Sequence, residues 1–358
     1  MMKIPKAPPT RRIIQSLFGF LVLAVLLNTV LGIYDFANLF AFFRPHSGVF
    51  VTQQQILDAY ATRKHETGAD GVIVAEPVIP KILHQVFHNW SDPASTALDL
   101  PGDWEAARQS CVALNPDWEH KLWTVKASRD FIAAEFPWFL DSYDSYRYPI
   151  QRVDVIRYFA LRHFGGIYID LDNGCKLNLD PIRHLPAFTT FGGHGTLSNN
   201  IIGGQPNHPL FLLLSESLRS WNWNWILPYV TISYASGQWY VTAMWEKYHR
   251  RLTAGGTVKG FDGDGWAPLR YISMDMRPDA PEPYLFWDQK QGGSWDNWDS
   301  PWFGWIGSHI WLVLRWVAAA IILLVMSIVG CVVCCRWSRR RRRRAKAVYV
   351  KLETDDVA

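Results

Sequence analysis

Two long apolar runs bracket a chain whose middle alternates between short apolar stretches and helical stripes. Ile13 to Ile33 is almost continuously apolar, about 20 residues, which is enough to cross a bilayer. Trp311 to Cys335 is a second run of that kind. Between them, Gln53 to Lys64 is weakly amphipathic and reads as a connecting helix. Ile79 to Phe87, IPKILHQVF, reads as a first strand, and Asp103 to Leu114 as a helix closed by Asn115-Pro116. Glu119 to Thr124 reads as a second strand and Ser128 to Phe136 as a helix. Val153, Ile156, Ala160 and Phe164 then fall at helical spacing, Gly165-Gly166 breaks the helix, and Ile167 to Ile169 reads as a buried strand. Thr189 to Phe191 and Leu197 to Ile202 suit short strands; Phe211 to Ser220 and Trp239 to Arg251 suit helices. Strands alternating with helices predict an α/β fold with a parallel sheet.

Charge changes the picture only at the ends. The formal charge is +4, but Lys3, Lys6, Arg11 and Arg12 precede the first run, and Arg336, Arg339 to Arg344, Lys346 and Lys351 follow the second. Setting these aside with the tail acids Glu353, Asp355 and Asp356 leaves about 23 bases against 29 acids. A mildly acidic middle argues against a nucleic-acid partner. Bases just outside two spans place both ends in the cytosol and the chain from about Tyr34 to His309 on the lumenal side. A cleaved signal peptide is the competing reading of the first run, but no small-residue cleavage site follows it. The expected layout is a tail (1–12), a span (13–33), a lumenal linker (34–77), a catalytic domain (78–309), a second span (310–335) and a basic tail (336–358). Asn89-Trp90-Ser91 is a glycosylation sequon in the lumenal part.

The candidate chemistry sits in one stretch, DVIRYFALRHFGGIYIDLD, Asp154 to Asp172. Asp154 and Arg157 are three apart and face the same way off a helix. Asp170 and Asp172 follow the strand; on an extended chain, residues two apart share a face. Two hard oxygen donors on one face suit Mg²⁺ or Mn²⁺, and such a cation can carry a diphosphate. Asp-x-Asp alone says little: Asp262-Gly263-Asp264 has the same form in a glycine-rich stretch that reads as a turn. Cys111 and Cys175 stand alone in the middle and either pair or stay free; Cys331, Cys334 and Cys335 end the second run as buried thiols or as lipidation sites. There are 19 Trp, including Trp221-Asn222-Trp223-Asn224-Trp225 and, before the second run, Trp298, Trp302 and Trp305. Such residues serve either as core or at a lipid interface.

The whole run, with IPKILHQVF before it and Leu179-Asp180-Pro181, Ser198-Asn199-Asn200, Trp225-Ile226-Leu227-Pro228-Tyr229 and Gly292-Gly293-Ser294-Trp295 after it, resembles the fungal inositol phosphorylceramide mannosyltransferases. These are DXD-motif glycosyltransferases. The resemblance covers roughly Val78 to Trp298 and implies a GT-A-like, Rossmann-type catalytic domain. It implies retaining transfer of mannose from GDP-mannose to inositol phosphorylceramide in Golgi or ER membranes, with Mn²⁺ or Mg²⁺ and, in some relatives, a regulatory membrane subunit. By the same resemblance Val86 and Phe87 line the donor base, and Asp154 and Arg157 bind the donor sugar. Asp170, Asp172 and Ser294 face the metal, Asn199 and Asn200 lie near the sugar, and Trp295 contacts the diphosphate. Where relatives carry a His before Gly-Ser-Trp, this chain has Asp288-Gln289-Lys290, so either Asp288 substitutes as a ligand or Ser294 suffices. A hexosyltransferase acting on protein-linked glycans, and a non-catalytic membrane protein on a transferase fold, are the alternatives.

Overall fold

The structure is a computed structural model. It describes residues 46–62, 76–89, 100–192, 196–252, 268–273, 284–289 and 296–323, with scattered helical positions in the two terminal apolar runs. Residues 1–297 and 298–358 form two compact units.

In chain order the first unit contains β1 (Val49–Val51), α1 (Gln53–Thr62), β2 (Ile82–Val86), α2 (Gly102–Leu114), β3 (Glu119–Trp123), α3 (Val125–Glu135), α4 (Leu140–Asp144) and α5 (Pro149–Phe164). Then come β4 (Gly166–Ile169), β5 (Asn173–Cys175), β6 (Ala187–Phe191), β7 (Leu197–Gly204), α6 (Pro209–Trp221), α7 (Pro228–Ala235), α8 (Gln238–Arg251), β8 (Arg270–Ile272) and β9 (Trp287–Gln289). Seven strands form one sheet in the order β1-β8-β6-β7-β4-β2-β3, and β5 pairs with β9 in a small second sheet. The large sheet is mixed and mostly parallel. β7 alone runs antiparallel to both its neighbours, β4 and β6. The expected α/β class holds; the uniformly parallel sheet does not, because an apolar strand pattern carries no direction. Val49–Val51, inside the expected linker, pairs with β8 at the sheet edge.

Two cores lie on opposite faces of this sheet. Period-two alternation on β4 sends Tyr168 to the core shared with α5, α6 and α8, and Ile167 and Ile169 to the other. Both isoleucines are fully buried, each contributing about 1.5–3 kcal/mol. α5 carries the site, and both its ends are locally specified. Pro149 opens the helix, and the Tyr148 N–H donates to Gln151 Oε1 at 3.0 Å. Gly165 ends it at φ 65°, and Gly166 follows at φ 98°. A Cβ on Gly166 would lie 2.4 Å from the Ile82 carbonyl, so only glycine lets β4 come this close to β2. His84 fixes the same corner. Its Nδ1 accepts from Trp123 Nε1 at 3.2 Å, which leaves Nε2 to donate to the Gly165 carbonyl at 2.8 Å. Cys111 of α2 and Cys175 of β5 form a disulfide across 64 residues, closing the pairing the sequence left open.

In the second unit, α9 (Ser300–Ser308) and α10 (Ile310–Leu323) meet at 92°. No single helix among the described residues is long and apolar enough to cross a membrane; the two helices of this bent pair together have the length and apolar composition of a span. The first apolar run lies mostly outside the described residues.

Candidate active site

Arg157 is the centre of the site. It lies in the middle of α5 and is only 2% exposed. Its guanidinium pairs with Asp154 one turn back at 3.2 Å and with Asp170 at 3.1 Å. It also donates to the Asn199 carbonyl of β7 at 2.6 Å and lies 4.4 Å over the Tyr168 ring. The planar fork lets one residue tie helix, strand and loop together. Burial disfavours its charge, but Asp170, Tyr168 and Asp154 together outweigh that and raise its pKa.

Asp154 is buried with both oxygens engaged. Oδ1 accepts from Asn199 Nδ2 at 2.8 Å and faces Arg157; Oδ2 accepts from Ser236 Oγ at 2.8 Å. Burial pushes its carboxyl up to about 6, against Arg157, Ser236 and Asn199, which favour the charged form. Asn199 Nδ2 also donates to the Tyr158 hydroxyl at 3.0 Å, and that hydroxyl donates to the Ser236 carbonyl at 2.6 Å. The buried network thus joins α5, β7 and the end of α7.

Asp170 and Asp172 do not lie on an extended chain. β4 ends at Ile169, and the Asn173 N–H donates to the Asp170 carbonyl at 3.0 Å, so the two carboxylates flank a turn. They remain close enough to interact. Asp172 is pushed up to about 7, first by burial and then by the charge of Asp170. Asp170 is raised by burial against Arg157, and it accepts from the Tyr168 hydroxyl. Asp172 Oδ1 accepts from Asn173 Nδ2 at 2.6 Å. The Asp170 N–H donates to the Asn200 carbonyl at 2.8 Å, carrying the β4–β7 pairing into the turn. Asn200 Oδ1 accepts from Thr190 at 3.0 Å, which holds that side chain at the turn's flank. β5 and β9 pin the far side, where the Gly174 N–H donates to Asp288 Oδ1 at 3.0 Å. That contact places Asp288 beside the turn with one oxygen already engaged.

The structure therefore brings Asp154, Arg157, Asp170, Asn199 and Asn200 into one hydrogen-bonded cluster, with Asp172 at its edge. Val86 and Phe87 sit at the end of β2. Val86 packs into the main core and Phe87 meets Trp104 edge-on at 6.4 Å. Ser294 and Trp295 lie outside the described residues, as does Asp262-Gly263-Asp264. No group of three or more metal-ligating side chains occurs among the described residues. Sequence reasoning missed Tyr158 and Ser236. Tyr158 lies four residues after Asp154 on the same helix face, a signal that was available. Ser236 is 82 residues from Asp154, and no local pattern announces it.

Residues 101–189 match the family model described as the glycosyltransferase sugar-binding region containing the DXD motif. That span holds α5, β4 and the carboxylate turn. The chain carries a DXD-type glycosyltransferase region. It is 42% identical over 183 residues to the mannosyl phosphorylinositol ceramide synthase SUR1 of Saccharomyces cerevisiae, covering 51% of this chain and 46% of that one. The corresponding enzyme CSH1 of the same yeast is 44% identical over 173 residues, 48% of this chain and 44% of its own. Inositol phosphoceramide mannosyltransferase 2 of Schizosaccharomyces pombe is 37% identical over 243 residues, 68% of this chain and 65% of its own. The chain thus spans about half the length of the two Saccharomyces relatives. These relatives bear out the resemblance read from the sequence.

Proposed function

We propose that the protein transfers mannose from GDP-mannose to the headgroup of inositol phosphorylceramide, with retention of configuration and with a divalent cation at the Asp170–Asp172 turn. The observation that carries this reading is the cluster in which Arg157 joins Asp154 to Asp170 within the DXD region, in a chain similar to proteins named for that transfer. The fold is read as GT-A-like.

The residues present fit a hard cation. Asp172 and Asp170 are oxygen donors; Arg157 pairs with Asp170, while Asp172, raised by burial and by the charge of Asp170, has no cation beside it among the contacts described, and a bound cation would favour its charged form. Asp172 and Asp170 would hold the ion, with Ser294 or Asp288 completing the set. When bound, the cation would offset charge developing on the departing diphosphate. The protein's own contribution is order. Arg157 fixes Asp170, and the buried network behind it keeps the guanidinium from turning away. Asn200 stands at the turn's flank, where its amide, held by Thr190 at 3.0 Å and Asn173 at 3.5 Å, would meet sugar hydroxyls. By family resemblance the attack is read as front-face, with the departing diphosphate taking the acceptor hydroxyl's proton. The Cys111–Cys175 disulfide suits an oxidising compartment, in keeping with a lumenal domain held by two spans with cytosolic ends.

The test is an assay of the purified full chain with GDP-mannose, other nucleotide sugars, inositol phosphorylceramide and soluble glycans. Mannosyl-inositol-phosphorylceramide should be the main product. Transfer only to a soluble glycan would overturn the acceptor assignment.

A further inference from the structure

The loop between α6 and α7, Asn222–Leu227, turns large apolar side chains outward. Ile226 is 95% exposed, Trp223 60% and Trp225 40%. The loop is nonetheless held in place. Trp221 stacks on Tyr234 at 4.6 Å, and Trp225 meets the same ring edge-on at 5.5 Å. The Trp225 N–H donates to Thr231 Oγ1 at 2.9 Å. Glu216, just before the loop on α6, is held by Arg162 at 3.4 Å. No acid lies between Leu218 and Thr231, and Arg219 opens the segment. Asn222 reaches Ser145 at 3.4 Å, and that neighbouring turn exposes Arg147 over the Tyr148 ring. The nearest acid there, Asp144, is held by Arg129 at 3.0 and 2.7 Å.

α7 starts directly after this tip, and the residue after its last turn is Ser236, which bonds Asp154. Eight helical residues rise about 12 Å. The exposed tip and the Asp154–Arg157 cluster therefore stand at opposite ends of one short helix.

We propose that the Asn222–Leu227 loop enters the headgroup layer of an anionic lipid bilayer and holds the Asp154–Arg157–Asp170 cluster just above it. The inference rests on the lipid-acceptor reading above and names the surface on which that acceptor is met. Tryptophan, apolar with one hydrogen-bonding edge, favours this layer, and a fully projecting isoleucine belongs below it. Arg147 and Arg219 complement anionic headgroups. A headgroup layer is about 5–8 Å thick on each side. That is less than the length of α7, so the cluster stands just clear of the layer, and an acceptor headgroup meets it by extending beyond its neighbours while its tails stay in hydrocarbon. A protein partner would need a pocket built to receive three projecting apolar side chains; a bilayer needs none.

The experiment uses the full chain with Cys331, Cys334 and Cys335 changed to Ser and Ile226→Cys carrying a nitrobenzoxadiazole fluorophore, in phosphatidylcholine–phosphatidylinositol vesicles. The label at 226 should be quenched by brominated lipids and shielded from iodide, while a label at Lys126→Cys stays open to iodide. Quenching by iodide at 226 as strong as at 126 overturns the proposal, and so does shielding from both quenchers, the mark of a protein cover. In parallel, Trp223→Ser with Ile226→Ser should raise KM for the lipid acceptor roughly tenfold and leave donor hydrolysis unchanged. An unchanged KM overturns it. Lipid quenching at 226 with no transfer to inositol phosphorylceramide would sustain the docking surface and remove the acceptor assignment.

Discussion

Arg157→Met strikes the point where the site and the fold depend on one side chain. Methionine keeps most of the aliphatic volume but removes the guanidinium. Two carboxylates then lose their partner, Asp154 at 3.2 Å and Asp170 at 3.1 Å, and the Asn199 carbonyl loses a donor at 2.6 Å. Breaking a buried pair from one side costs about 3–5 kcal/mol, because the remaining charge stays desolvated. For a unit of this size each kcal/mol lowers the unfolding midpoint by about 2–4 °C, so the expected drop is on the order of 10 °C. Differential scanning fluorimetry of the detergent-solubilised chain at pH 7.5 reads it. Adding Asp154→Asn to Arg157→Met should recover part of the loss, since the amide keeps the Ser236 contact and carries no charge. A drop under about 2 °C, or a double variant that loses the sum of the two single effects, would refute the reasoning.

Cys111→Ser opens a loop of 64 residues, which chain entropy values at about 4 kcal/mol; chemical unfolding should show a loss of that order, and thiol titration of the unreduced parent should find neither Cys111 nor Cys175. His84 is held neutral, its pKa lowered by burial to about 4. The unfolded chain takes up that proton near pH 6.5 and the folded chain does not, so stability is full above pH 6.5 and falls as pH drops toward about 4, by about 3 kcal/mol in all. Unfolding midpoints across pH 4–7 should fall less steeply for His84→Gln, and an identical slope would remove His84 as the cause.

What the sequence disclosed was local. The helix stripe, the glycine stop and the buried strand before Asp170 each rest on residues within a turn or two, and all three are found in α5, Gly165-Gly166 and β4. The turn geometry was missed because Asp-Leu-Asp after an apolar strand reads as more strand; the hydrogen bond from Asn173 to Asp170 bends it. The β5–β9 pair joins Gly174 to Asp288, 114 residues apart, through a side-chain contact no spacing reveals. The Cys111–Cys175 pairing and the Ser236 contact are of the same long-range kind. Strand β7 was found, but its direction depends on where the chain crosses between β6 and β4.

The proposed transfer of mannose to a membrane lipid depends on a cation held at the Asp170–Asp172 turn. The most direct measurement is transfer of radiolabelled mannose from GDP-mannose to inositol phosphorylceramide by the full chain and by Asp172→Asn, each with Mn²⁺ and with EDTA, with circular dichroism as the check on folding. Product is expected from the parent with Mn²⁺ alone, and a loss of roughly a hundredfold or more in a folded Asp172→Asn. Near-normal transfer by that variant, or full parental activity in EDTA, would contradict it.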